Sequence, residues 1–132
     1  RLYLEDDKNT RKQNESDTYF IKTYNPKKND FSLYLTATIG KKISLVESVS
    51  KKNKFHKWEI KTVNQAGPKY TFSVNIISYG LRQESEGELC LRQYYDNMSR
   101  SHFKLERISS SNWIYNSMLE LEAPQYIPEE QD

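Results

Sequence analysis

Apolar and polar positions alternate with a period of two through most of the middle of the chain, the pattern of strands with one face turned inward. The clearest run is Phe31–Ile39. Phe31, Leu33, Leu35, Ala37 and Ile39 share one face, and Ser32, Tyr34, Thr36 and Thr38 share the other. Tyr70–Ile77 repeats it through Tyr70, Phe72, Val74 and Ile76, and Trp58, Ile60 and Thr62 alternate likewise. Thr18–Tyr24, Lys42–Val49, Glu88–Tyr95 and His102–Ile108 bring the expected strands to seven. Turn-forming residues separate them at Asn25-Pro26, Gly40, Ala66-Gly67-Pro68, Gly80, Glu86-Gly87 and Asp96-Asn97.

The period then changes. Ser109–Ser111 offers a helix cap, Trp113 follows, and Ile114, Met118 and Leu121 recur at helical spacing before Pro124. The spacing predicts one C-terminal amphipathic helix. Glu120 and Glu122 sit at its unfavourable, carbonyl-rich end, so tertiary packing has to hold it. Residues 1–17 read as a polar N-terminal extension with a short strand at Leu2–Leu4, 18–123 as the folded domain, and 124–132 as an acidic flexible tail or linker. HKWEI and HFKLERI each end a block of about 40 residues. Only two such blocks fit, where a β-trefoil needs three, so no internal repeat is expected.

Composition sharpens this picture. Hydrophobic residues are 36% of the 132, low for a globular chain, but aromatics are 13% and include ten Tyr. That is enough apolar and β-branched material for one core and too little length for two. No run of about 18 apolar residues exists, so no transmembrane helix is expected. The chain starts at Arg1 without a signal-like stretch, as a piece of a longer intracellular protein does. The single Cys90 excludes an internal disulfide and fits a reducing compartment. The sequons at Asn14 and Asn97 are read as chance in a chain rich in Asn and Ser.

The catalytic inventory is thin. His56 lies in a lysine-rich turn, His102 begins a strand, and the four glycines are isolated, so no phosphate loop, no metal-ligand spacing and no nucleophile–base pair emerges. A non-enzymatic binding module without cofactor is the expectation. Net charge is only +2, which argues against a nucleic-acid binder. In an up-and-down strand order, however, the connections after strands one, three and six share one end. That end gathers Lys27, Lys28, Lys51, Lys52, Lys54, Lys57 and Arg100 against Asp30 and Asp96, a net +5. The opposite end, with Lys41, Lys42, Lys69 and Arg82 against Glu84, Glu86 and Glu88, stands at +1.

Seven strands followed by a terminal helix, and above all the ending SHFKLERISSSNWIYNSMLELE, resemble the pleckstrin-homology (PH) superfold, with Trp113 in the place of the helix Trp that such domains pack into the barrel mouth. KWEIKTVNQAGPKYTFSV is similar to the middle hairpin of a FERM third lobe. The resemblance covers 18–123 and implies a mainly β, seven-stranded bent sheet or partly open barrel capped by the helix. It also implies a membrane-targeting module of a larger signalling protein, such as a Rho-family exchange factor, cytoplasmic and peripheral at the membrane. The phosphate-contacting residues it implies are Lys22, Lys27, Lys28, Lys51, Lys52, Lys54 and Arg100, with Phe55 entering the interface. Strand two, FSLYLTATI, lacks the Lys or Arg of phosphoinositide-specific members. The partner expected is therefore acidic phospholipid bound weakly and non-specifically, by flexible point charges. The alternative is a scaffolding domain that captures a peptide strand along strand five, TFSVNII, and the helix. A further expectation has Glu129, Glu130 and Asp132 folding back to mask the basic end.

Overall fold

The computed structural model describes residues 1–7, 17–65, 67, 71–95, 101–107, 113–116 and 120–122. All strand pairings are antiparallel. The strands are β1 (Leu2–Asp6), β2 (Thr18–Asn25), β3 (Asp30–Thr38), β4 (Lys42–Val46), β5 (Trp58–Gln65), β6 (Phe72–Ser78), β7 (Cys90–Tyr95), β8 (Ser101–Glu106), β9 (Trp113–Tyr115) and β10 (Glu120–Glu122). A 3-10 turn at Lys54–His56 precedes β5, and one short helix, α1 (Tyr79–Gln83), follows β6.

The mainly β, antiparallel expectation holds, and each of the seven expected strands is present. Two features differ. There are ten strands among the described residues, and the segment expected as a C-terminal helix supplies two of them. Trp113–Tyr115 pairs with β6 on one side and β10 on the other, and Leu121 pairs with Leu2 of β1. The reason is the demand of open edges. β6 and β1 each present a strand edge that needs a partner, and short strands there satisfy more backbone groups than a helix laid over them. The Trp-Ile-Tyr run is also β-branched and aromatic, which suits a strand. The polar lead-in likewise contributes β1, whose Leu2 and Leu4 are buried.

Following the pairings round, β1 joins β2, β2 joins β5, β5 joins β6, β6 joins β9, β9 joins β10, and β10 returns to β1. Three hairpins thus close a six-stranded ring, which removes their edges from solvent. Each of the first two ring hairpins is followed by an outer hairpin. β3–β4 hangs on β2 through Lys22↔Tyr34, and β7–β8 hangs on β6 through Ile77↔Cys90. The outer hairpins meet through β4 and β8. This is the strand plan of a β-trefoil, with no third outer hairpin among the described residues.

Two tryptophans show that the plan repeats. The Trp58 indole N–H donates to the Leu35 carbonyl at 2.9 Å, and the Trp113 indole N–H donates to the Leu91 carbonyl at 2.8 Å. Each tryptophan begins a ring strand, and each reaches the outer hairpin before it, across 23 and 22 residues. Both are fully buried. At the matching seam where the third ring hairpin meets the first, Leu2 pairs with Leu121, both buried, in place of an indole. The internal repeat that two sequence blocks left unsupported is present, then, in the hydrogen bonding. It was hidden because only two of three units carry the tryptophan.

Helix α1 is capped by the Ser78 hydroxyl, which accepts from the Leu81 N–H at 3.3 Å. It is pressed onto the 3-10 turn so closely that a Cβ on Gly80 would lie 2.7 Å from Phe55 Cδ1 and 2.8 Å from its Cα. Only glycine permits that approach.

Candidate functional site

The sequence gathered seven cations at one end of a sheet, and the ring distributes them differently. Lys22 lies on β2, half-buried, with its ammonium 3.8 Å from Glu5. Lys27 and Lys28 occupy the turn between β2 and β3, exposed, and Asn25 shapes that turn by accepting the Lys27 N–H at 3.1 Å. Lys51 and Lys52 are exposed on the connection from β4 to β5. Lys54 is half-buried and paired with Glu84 at the end of α1. Lys57 is 7% exposed and its ammonium sits 2.8 Å from Asp7, itself 1% exposed. Arg100, the expected contact after strand six, and the acidic residues Glu129, Glu130 and Asp132 lie outside the described residues.

The expected poles of charge are accordingly not separate. Glu84 belongs to the end read as weakly charged, yet α1 brings it against Lys54. Lys57 is withdrawn from the surface altogether. Phe55, expected at a membrane interface, instead packs half-buried on Gly80, with Lys54 Nζ 5.4 Å from its ring centre. Lys27, Lys28, Lys51 and Lys52 remain as exposed cations with no carboxylate partner among the described residues. No hydrogen bond or ion pair among those residues joins the turn of Lys27 and Lys28 to the 51–57 connection.

That connection is organised by His56. Its Nδ1 accepts the Ser50 N–H at 3.0 Å, the Asn53 carboxamide oxygen accepts the Phe55 N–H at 2.9 Å, and the Ser50 hydroxyl accepts the Lys52 N–H at 3.2 Å. Burial holds the His56 imidazole below its ordinary 6.5. The unfolded chain therefore takes up a proton before the folded one does. Stability is complete above about 6.5 and falls as pH drops through that value towards the folded one. Protonation at Nδ1 also forfeits the Ser50 bond. A denaturation midpoint that declines between pH 7 and pH 5, and declines less in His56→Asn, is the expected result.

What the sequence did not single out is a cleft where the two outer hairpins meet. Thr23 and Tyr24 of β2, Ile43 and Leu45 of β4, and His102 and Phe103 of β8 line about 530 Å³. Tyr24 is 44% exposed and Leu45 49%. Alternation placed apolar residues of the outer strands in the core. In β3, however, only Leu35 to Ala37 is buried, while Phe31 near its start is 36% exposed and Ile39, just past its end, is open. The available signal was an aromatic residue directly before a basic turn, Tyr24-Asn25-Pro26-Lys27-Lys28.

The strand expected to capture a peptide is not an edge. TFSVNII lies largely in β6, which is hydrogen bonded to β5 on one side and to β9 and β7 on the other. The helix that was to complete the groove is replaced by β9 and β10. Cys90 is buried, and that burial, reinforced by Glu88, pushes its thiol above the ordinary value and keeps it protonated. No helix among the described residues is long and apolar enough to cross a membrane. No protein-family model, curated protein or solved structure matches this chain.

Proposed function

We propose that the domain is a non-catalytic binding module that holds its chain weakly to acidic phospholipid surfaces, without selecting one headgroup. The observation that supports this is the exposure of Lys27, Lys28, Lys51 and Lys52 with no neutralising carboxylate among the described residues. Each cation near an anionic bilayer contributes about 1 kcal/mol, so the four together reach about millimolar binding. The reading rests on charge alone. The PH resemblance keeps its coarse content, a mainly β antiparallel domain, but its terminal helix is not there to support a stereospecific inositol-phosphate pocket. Membership of a larger signalling protein such as a Rho-family exchange factor is part of the same proposal.

Co-sedimentation with phosphatidylserine-rich vesicles tests it. Binding is expected to fade with added salt, because surface charges are screened within about 10 Å at 0.1 M. Lys51→Ala/Lys52→Ala should weaken it by about 2 kcal/mol, and reversal of all four lysines to Glu should abolish it. Equal binding to neutral phosphatidylcholine vesicles, or no effect of the fourfold reversal, defeats the proposal.

A further inference from the structure

The cleft between the outer hairpins and the basic turn beside it are one structural unit. The Tyr24 hydroxyl donates to the Asn29 side-chain oxygen, so the turn that carries Lys27 and Lys28 fixes the ring at the cleft mouth. Phe31 packs edge-on against the same ring at 5.7 Å and is itself 36% exposed. Across the cleft stands Leu45, 49% exposed, with Phe103 beside it. Beside the cleft the turn carries exposed Lys27 and Lys28, and exposed Lys42 precedes Ile43, against the carboxylate of Asp30; Lys22 is paired with Glu5, and Lys104 lies over the Tyr94 ring at 5.5 Å. Exposed apolar side chains beside exposed lysines match an interface that is apolar inside and anionic at its surface.

We propose that this cleft is the face that meets the bilayer, with Tyr24 and Leu45 entering the interfacial region while Lys27 and Lys28 contact acidic headgroups. The inference rests on the vesicle-binding reading above and deepens it by giving the bound domain an orientation. Charge complementarity selects the occupant. An acidic lipid surface offers anionic groups and an apolar layer at once, over an area that suits an open, shallow cleft.

An environment-sensitive fluorophore on Leu45→Cys tests the orientation, with the label on Val63→Cys of β5 as a control. Val63 is 46% exposed and away from the cleft, and Cys90 is buried and protected from labelling. Phosphatidylserine-rich vesicles should shift the emission of the label at 45 to the blue and leave the label at 63 unchanged. In Leu45→Ser, the affinity for these vesicles at low salt should drop roughly tenfold, the value of one apolar side chain withdrawn from water. If the protein sediments with vesicles while the label at 45 keeps its aqueous emission, the orientation is wrong and the charge reading stands. If it sediments with none, both fall. A blue shift given by a glutamate- and leucine-rich peptide, with none from vesicles, identifies a protein partner and overturns the membrane face.

Discussion

Replacing Trp113 with alanine is expected to destabilise the domain by about 3–5 kcal/mol, the cost of removing a fully buried indole from a packed core. Against a total of about 5–15 kcal/mol for a domain of ordinary stability, that removes from about a fifth to all of the stability. Urea denaturation monitored by circular dichroism measures it. The loss has two parts. The cavity is the larger one, and the stranded Leu91 carbonyl, which the indole N–H now satisfies at 2.8 Å, is the smaller. Trp113→Phe separates them, since it keeps most of the volume and should cost about 1–3 kcal/mol. Its neighbour tells strand from helix. Ile114 lies in β9 between Ser73 and Glu122, whereas in a helix capped at Ser111 it would occupy the first turn. Proline is tolerated in a first helical turn, whereas in a strand paired on both edges it removes a ladder hydrogen bond and destabilises the sheet. An Ile114→Pro variant as stable as the parent would contradict the ring.

The second large effect comes from the buried pair of Asp7 and Lys57. Asp7→Ala is expected to cost about 3–5 kcal/mol, because it leaves an ammonium that is only 7% exposed without its counter-charge. The carboxylate also accepts the Thr18 hydroxyl at 2.9 Å, and the Asp7 N–H donates to the Thr18 carbonyl at 3.3 Å. The pair therefore ties the end of β1 to the start of β2 and to the entry of β5. Asp7→Leu/Lys57→Met should recover most of the loss, since apolar residues of similar size avoid the desolvation of both charges. A double variant no better than Asp7→Ala would mean that this junction depends on its hydrogen bonds rather than on charge balance. Equilibrium unfolding of the three proteins side by side decides it.

These effects mark where reading the chain succeeded and where it did not. Period-two alternation located β2 to β8, and the turn residues between them set boundaries within a few positions. It could not find β9 and β10, three residues each, because a strand that short shows no period. Ile114, Met118 and Leu121 happen to fall at helical spacing, and nothing local contradicts a helix. Only the open edges of β6 and β1 do, and they lie far away in the chain. The lysines show the same division. Lys27, Lys28, Lys51 and Lys52 are exposed as composition leads one to expect. The burial of Lys57 depends on Asp7, fifty residues earlier, and the neutralisation of Lys54 on Glu84, thirty residues later. The cleft of Tyr24, Leu45 and Phe103 is made by two hairpins that meet, so no single segment announces it.

By itself the chain determined an antiparallel β protein, most of its strands, and two tryptophans committed to its interior. Those properties follow from side-chain alternation, turn chemistry and the transfer of apolar surface from water, which act over a few residues at a time. Tertiary structure alone decided that the sheet closes into a ring, that its last segment is strand, and which lysines keep their charge in solvent. Each of these depends on a partner distant in sequence, either an unpaired edge or an opposite charge, and spacing along the chain does not encode which distant groups will meet.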